Sequence, residues 1–166
     1  GYDTFGRTAS ITKPGDSLPT ESYDYILGHD IGNGKTVNWV EVRKLENSSG
    51  STLDARIFYD GLGRKIMSRA EGEFPGQVVV ADTVVFNSRK LAWKKYLPYF
   101  EENSSLAYKD PSWNSGFSEY TYDALGRVIR TAQPAGPEGT AFSTVQYAPF
   151  TRTVQDEEQT DLTSPH

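Results

Sequence analysis

Apolar and polar positions alternate along much of this chain with the two-residue period of β-strands. The clearest stretch runs from Thr36 to Leu45, where every second side chain falls on the same face of a strand. Thr52 to Tyr59 has the same character, and residues 46–50 between them are Glu-Asn-Ser-Ser-Gly, a turn-forming segment. These two stretches are therefore predicted to pair as an antiparallel hairpin.

The most apolar run extends from Val78 to Phe86 and is predicted to be one fully buried strand, with Leu91 to Leu97 as its partner. The stretch with most helical character is Arg89 to Glu102. Because Pro98 interrupts it, it is interpreted as strand and loop. The Ser- and Asn-rich stretch from Glu101 to Gly116 is predicted to be an irregular excursion.

A six-residue motif occurs three times, at Tyr2–Arg7, Tyr59–Arg64 and Tyr122–Arg127. Each copy is Tyr-Asp, then a variable residue, then Leu or Phe, then Gly-Arg. The unchanged residues are Tyr2, Asp3, Gly6, Arg7, Tyr59, Asp60, Gly63, Arg64, Tyr122, Asp123, Gly126 and Arg127. A recurring motif means a recurring structural unit, so we expect a wall of like units rather than one enzyme pocket.

The motif has the chemistry of a tight turn between two strands. Aspartate at the start of a turn accepts hydrogen bonds from backbone N–H groups two residues on. Glycine at the fifth position supplies the positive φ of a type I turn followed by a G1 bulge. The turn is predicted to set Tyr122 opposite Arg127, so that the guanidinium covers the tyrosine ring. Leu125, at the tip, is predicted to cover a neighbouring hairpin.

Three weaker copies lie between and after the strong ones, at Tyr23–Gly28, Phe86–Leu91 and Tyr147–Arg152. Each keeps part of the aromatic, turn-forming and basic order of the motif. With them the repeat length falls within the range of about 20–50 residues that stacked repeats have.

Composition supports β-structure with many turns, because ten Tyr, 15 Gly and 9 Pro accompany a single Met. The 166 residues are enough for one domain. Residues 1–155 are predicted to form a single continuous repeat domain, and residues 156–166 a polar linker or frayed end. A chain that opens at Gly1 directly into a motif is expected to be a fragment of a larger protein.

Several function classes are disfavoured by the same composition. A net charge of −5 without a basic cluster argues against nucleic acid, and no apolar run is long enough to span a membrane. The absence of Cys excludes disulfides and Cys metal sites. His29 follows a glycine and is predicted to be a surface loop histidine. Glu71 and Glu73 are interpreted as exposed strand residues, so no catalytic residue, metal or cofactor is predicted.

One group of aromatic residues could bind a ligand, since aromatic faces stack on sugar rings. Its candidate members are Trp93, Tyr96, Tyr99 and Trp113. The alternative is that these side chains pack in the core or between hairpins.

The motif resembles the YD repeat of RHS-repeat proteins, which it matches fully at all three strong copies. Tyr59 to Glu73, Val84 to Phe100 and Tyr122 to Thr160 also look like the RHS regions of the B and C components of bacterial insecticidal toxin complexes. The resemblance implies an all-β fold in which consecutive antiparallel hairpins form a curved strip of a hollow shell. In toxins of this kind the shell encloses a C-terminal effector.

The function implied by the resemblance is a non-catalytic stretch of shell wall in a secreted or cell-surface bacterial protein. Its implied partners are neighbouring RHS repeats and an enclosed effector. The alternative is an extracellular carbohydrate-binding or adhesion module with glycans as ligands. The self-cleaving aspartates of the family's C-terminal core have no counterpart here, so no catalytic residue is carried over.

Overall fold

The computed structural model describes residues 1–112, 115–134 and 141–156, and these residues form thirteen β-strands and no helix. The predicted all-β fold of antiparallel hairpins is thereby confirmed. The strands are β1 (Ser10–Ile11), β2 (Glu21–Asp30), β3 (Thr36–Leu45), β4 (Thr52–Tyr59), β5 (Lys65–Glu71), β6 (Val78–Ala81), β7 (Val84–Phe86), β8 (Ala92–Tyr96), β9 (Tyr99–Glu101), β10 (Phe117–Tyr122), β11 (Val128–Ala132), β12 (Phe142–Ala148) and β13 (Thr151–Gln155).

The chain divides into two compact units, each with its own antiparallel sheet. The first unit comprises Gly1–Thr83 and Pro98–Asp110, and the second comprises Val84–Leu97 and Pro111–His166. The prediction of one continuous domain over residues 1–155 stays a prediction, and residues 157–166 of the predicted tail lie outside the described residues.

The sheet of the first unit has the strand order β1-β2-β3-β4-β5-β6-β9. Its centre is the hairpin predicted from the alternation pattern, in which β3 and β4 pair along their length with Val42 opposite Ala55.

No helix long and apolar enough to cross a membrane is found in the described part of the chain.

One face of this sheet carries the core of the first unit. The buried side chains are Val37, Phe58, Met67, Val78 and Val80. Tyr99 from β9 and Leu106 and Tyr108 from the following segment pack against them, and the rings of Phe58 and Tyr108 lie 5.5 Å apart. Part of the predicted irregular excursion therefore covers this core.

A buried cation holds this cover in place. Arg69 of β5 is fully buried, and its Nη2 donates to Glu101 Oε2 at 2.6 Å and to the Ser105 carbonyl at 3.0 Å. The hydroxyl of Ser104 lies 3.1 Å from the same nitrogen, and Lys109 Nζ lies 3.3 Å from Glu101 Oε2. Arg69 and Lys109 thus both pair with the oppositely charged Glu101, as burial of charged side chains requires.

This network predicts an acid-sensitive contribution to stability. Hydrogen bonding from Arg69 lowers the pKa of Glu101 to about 2 against the opposing effect of burial. Because the folded pKa lies below the ordinary value of 4.5, this contribution is present above pH 4.5 and lost as pH falls through about 2. Urea unfolding over this pH window should show a steeper loss of stability in the native chain than in Glu101→Gln. Equal slopes would contradict the prediction.

The second unit's sheet has the order β13-β12-β11-β10-β8-β7. Its buried side chains include Tyr96, Lys94 and Ala132. The Lys94 ammonium lies 4.0 Å from the centre of the Phe117 ring, and Tyr96 packs on the same ring at 5.2 Å. A cation that is largely removed from water is thus placed over an aromatic face, where the attraction is strongest.

The apolar run Val78 to Phe86 is not one strand, and that prediction is wrong. The chain breaks at Asp82, which has a φ of 53°, so that β6 belongs to the first sheet and β7 to the second. The Asp82 carboxylate accepts hydrogen bonds from Lys65 Nζ at 2.5 Å and Ser68 Oγ at 3.0 Å. These bonds fix the break at a position where the sequence has neither Gly nor Pro to mark it.

The interpretation of Tyr23–Gly28 as a weak copy of the motif is also wrong, because this stretch lies inside β2 and makes no turn. Its Gly28, with a φ of 66°, sits in an irregular step between Ile26 and His29 and donates to Asn38 Oδ1 at 2.7 Å. His29 is exposed as predicted but belongs to this strand rather than a loop. Its ring packs edge-on against Trp39 at 4.6 Å.

Candidate functional site

All three strong motifs form the same turn, and it is the predicted one. In each copy the Asp Oδ1 accepts hydrogen bonds from the backbone N–H groups two and four residues later, at 2.9–3.0 Å. The glycine N–H donates to the carbonyl of the same aspartate, and the glycine φ is 75°, 75° and 82° in chain order. Register shifts after Phe58 and Thr121 mark the accompanying bulge.

The motif arginine closes the turn from the side. Its Nε donates to Oδ2 of the aspartate in the same motif at 2.6 Å for Arg7, 2.8 Å for Arg64 and 2.7 Å for Arg127. Loss of solvation raises the pKa of each aspartate, but hydrogen bonds from the arginine's backbone and side chain outweigh it and lower the pKa. Each turn therefore carries an internal, neutral ion pair.

The predicted pairing of Tyr122 with Arg127 is wrong by one residue. Tyr122 lies opposite Val128, because the bulge inserts an extra residue before the return strand. The Arg127 guanidinium lies instead 4.1 Å from the centre of the Tyr147 ring, on the neighbouring strand β12. Arg7 lies at the same distance from Tyr25 on β2, so both arginines cover a tyrosine of the adjacent strand.

The two tyrosines also join neighbouring strands through hydrogen bonds. Tyr25 OH donates to the carbonyl of Thr8 at 3.0 Å, and Tyr147 OH donates to that of Val128 at 3.3 Å. Both acceptors directly follow a motif arginine. We call this arrangement the tyrosine clamp: a motif arginine lies over the tyrosine ring, and the tyrosine hydroxyl donates to the carbonyl of the residue that follows the arginine. It was missed from the sequence because its two halves are far apart along the chain.

Tyr122 shows how the clamp links successive turns. It begins the third motif, and its hydroxyl donates at 2.6 Å to the carbonyl of Ala92, which follows the weak copy Phe86–Leu91. The same side chain thus begins one turn and forms the hydrogen bond of a clamp with the turn before it, where Leu91 occupies the place of the motif arginine.

The weak copy Phe86–Leu91 makes the motif turn with substitutes. Asn87 replaces aspartate and accepts from the Leu91 N–H at 3.0 Å, and Lys90 takes the glycine place with a φ of 66°. Tyr147–Arg152 is also a hairpin, but with Ala148 opposite Thr151 it has a two-residue loop. The positive φ there falls on Phe150.

Residues at the fourth motif position do not cover neighbouring hairpins among the described residues. Phe5, Leu62 and Leu125 are 81%, 65% and 78% exposed, so the predicted packing of Leu125 is wrong within this chain. Alternate turns of an antiparallel sheet lie at the same end, which places Phe5 and Leu62 at one end of the first sheet. Leu125 and Phe150 share one end of the second.

A single substitution tests the turn. We expect Gly126→Val to destabilise the chain by about 1–3 kcal/mol, because a β-branched residue rarely adopts a positive φ. A Cβ there would lie 3.7 Å from Leu91 Cδ1 and 3.9 Å from Arg89 Nη2, which are ordinary contacts, so the cost is one of backbone conformation. Gly126→Asn is the matched control, because Asn tolerates this conformation. An unchanged melting temperature in Gly126→Val would count against the turn.

The described candidate ligand-binding aromatics differ in burial and in the sheet to which they belong. Trp93 donates its indole N–H to Glu119 Oε1 at 2.6 Å, and Tyr96 is only 6% exposed. Tyr99 lies in the other sheet, where it packs against the first core. Trp113 lies outside the described residues. A glycan-binding role for these side chains stays a prediction.

No metal-binding cluster of three or more His, Asp or Glu side chains is found in the described residues. Glu71 Oε2 accepts a hydrogen bond from the backbone N–H of Asp54 at 2.9 Å. The described side chains with the most repeated and specific geometry are therefore those of the turns and the tyrosine clamps.

Comparisons with known proteins agree with this repeat architecture. No protein-family model matches the chain, and no curated protein matches it in sequence. Among solved structures, the crystal structure of TcdB2-TccC3 superposes on 87% of the chain with a TM-score of 0.70 and 16% identity. The fold is similar to that of a toxin complex. The structure of TcdB2-TccC3 without its hypervariable C-terminal region matches 74% of the chain with a TM-score of 0.59 and 16% identity.

This likeness confirms the predicted similarity to the RHS-repeat region of toxin-complex components. At 16% identity it concerns the fold alone. The chain covers 8% of the TcdB2-TccC3 chain, so it corresponds to a short stretch of that much longer protein.

Proposed function

We propose that this chain is a non-catalytic stretch of repeat wall in a larger, secreted or cell-surface bacterial protein. The wall belongs to an RHS-type shell that encloses a C-terminal effector. The observation that carries the proposal is the identical turn at three separate motifs, on a fold similar to that of TcdB2-TccC3.

The geometry suits a structural role because the specific contacts join neighbouring strands to one another. In each motif the Asp and Arg form an ion pair with each other. In the tyrosine clamps the hydroxyl donates a hydrogen bond to a backbone carbonyl of the adjacent strand. Charged and polar groups committed in this way are not available for acid–base chemistry on a substrate. What they provide is a fixed register from hairpin to hairpin.

The enclosed effector is proposed from the likeness to TcdB2-TccC3, a protein with a hypervariable C-terminal region. A shell that holds varied cargo needs a constant wall, and a repeated turn that is fixed by its own residues can supply it. Partners in this proposal are the neighbouring repeats of the parent protein and that effector.

Contact with neighbouring repeats is assigned to the turn tips. A tip consists of an exposed Leu or Phe beside an internally neutralised ion pair, so it is apolar and carries little net charge. Exposed apolar side chains that recur at one end of a sheet are typical of an interaction surface. Another row of the same tips has the matching chemistry.

The test is self-association measured by sedimentation at increasing concentration of the isolated chain. The triple variant Phe5→Ser, Leu62→Ser, Leu125→Ser should associate less than the native chain. The control variant Leu53→Ser, Phe74→Ser, Leu97→Ser removes apolar residues of 49%, 61% and 52% exposure elsewhere and should behave like the native chain. A native chain that stays monomeric, or equal behaviour of both variants, would overturn the assignment.

A further inference from the structure

The turn between β2 and β3 carries a reactive pair of residues that the repeat architecture does not use. Asn33 has a φ of 55° and directly precedes Gly34, whose φ is 68°. Both residues are exposed, and the turn is closed by the Lys35 N–H, which donates to the Gly32 carbonyl at 3.1 Å. We propose that Asn33 is a site of spontaneous deamidation through a succinimide formed with Gly34.

The local geometry leaves both reacting groups available. Within the described part of the chain, neither the Asn33 side-chain amide nor the Gly34 N–H forms a hydrogen bond. Gly34 has no Cβ to shield its nitrogen, and space around it is open, since no heavy atom lies within 4 Å of where a Cβ would stand. Glycine also gives the backbone the freedom that ring closure requires.

The reaction balances with water as the only co-reactant. The Gly34 nitrogen loses its proton to solvent base and attacks Cγ of Asn33, forming an N–Cγ bond. The Cγ–Nδ2 bond breaks, and the leaving group takes up a proton and departs as ammonia. Water then opens the five-membered ring. Cleavage of the N–Cγ bond gives aspartate, and cleavage at the Asn33 carbonyl carbon gives an isoaspartyl linkage.

Two other turn residues, Asn47 and Asp60, are less suited to succinimide formation. Asn47 Oδ1 accepts hydrogen bonds from the Ser49 and Ser51 N–H groups, and Asn47 precedes serine rather than glycine. Asp60 does precede a glycine, but its carboxylate is fixed by the backbone and guanidinium of Arg64. The combination of an unbonded side-chain amide and a following glycine sets Asn33 apart from these two residues.

Conversion would change both charge and backbone at this turn. Each event adds one negative charge, which moves the formal net charge from −5 to −6, three residues after Asp30 in the sequence. An isoaspartyl linkage also lengthens the main chain by one carbon. The turn depends on three successive positive φ angles at Gly32, Asn33 and Gly34, so this lengthening should break the closing Lys35–Gly32 hydrogen bond.

The test is incubation of the folded chain at mildly alkaline pH, followed by isoelectric focusing and peptide mapping by mass spectrometry. The expected result is an acidic form with one added charge, mapped to Asn33 before Asn47, Asn87 or Asn103. Asn33→Gln, which disfavours closure of the five-membered ring, should prevent this first charge shift, and Gly34→Ala should slow it.

Circular dichroism of the two variants checks that each remains folded. Persistence of the first charge shift in Asn33→Gln would overturn the proposal. So would earlier conversion of another asparagine, or an intact Asn33 after a period in which the urea-unfolded chain has converted it.

Discussion

Replacing Arg69 with methionine is expected to lower the free energy of unfolding by about 3–5 kcal/mol, because the partly buried Glu101 carboxylate loses its main partner. Arg69 is fully buried and forms two hydrogen bonds with Glu101, at 2.6 and 3.3 Å. It also donates to the carbonyl of Ser105, which no longer has this donor in the variant. The segment that covers the first core should loosen at the same time.

The measurement is urea unfolding at one fixed protein concentration, with limited proteolysis to report release of the covering segment. Arg43→Met is the matched control. Arg43 pairs with Asp24 at 2.7 Å but is 36% exposed, so its loss should cost no more than about 1 kcal/mol. A double variant Arg69→Met, Glu101→Leu should recover part of the loss, because both charges are then gone. Similar losses for Arg69→Met and Arg43→Met would contradict the structural role of the buried pair.

Truncating Phe58 to alanine should cost a similar amount, about 3–5 kcal/mol, by opening a cavity at the centre of the first core. Phe58 has no solvent exposure, and its ring lies 5.9 Å from Trp39 and 5.5 Å from Tyr108. The ring therefore joins the sheet to the segment that covers it. Loss of this contact should also change the fluorescence of Trp39.

The control for this prediction is Phe100→Ala in β9. Phe100 is 65% exposed, and its removal should change the free energy of unfolding by no more than about 0.5 kcal/mol. Both variants are compared with the native chain by urea unfolding at the same concentration. If Phe58→Ala were no more destabilising than Phe100→Ala, the core would not be where the structure places it.

The turns could be predicted from the sequence because their determinants are local. The Asp side chain bonds to backbone groups two and four residues away, and the glycine needs only its own φ. The β3–β4 hairpin was visible for the same reason, since alternation and a polar turn lie in one continuous stretch. In such segments the sequence and the tertiary structure make the same demand.

The breaks between sheets could not be predicted in this way. Asp82 ends β6 within an apolar run, and the bonds that fix it come from Lys65 and Ser68 in another strand. Likewise β9 pairs with β6, although β7 and β8 intervene in sequence and belong to the other sheet. Alternation shows that a segment is a strand, but not which sheet it joins.

The tyrosine clamps and Arg69 show the same limit at the level of side chains. Tyr25 and Tyr147 fell within the weak motif copies, yet their role depends on a strand register that no local pattern displays. Arg69 occupies a core-facing position of β5 that a hydrophobic pattern assigns to an apolar residue. Its partners lie more than thirty residues away in sequence, in the segment that folds back over the sheet.

The measurement that tests the central claim most directly is urea unfolding of the isolated chain at several protein concentrations, followed by tryptophan fluorescence, with the solution mass determined at each concentration. A stretch of repeat wall separated from its neighbours should associate through its open strand edges and turn tips. The account therefore predicts a mass that grows with concentration and an unfolding midpoint that rises with it. A monomer with a cooperative transition at a concentration-independent midpoint would contradict the account and indicate a self-standing module.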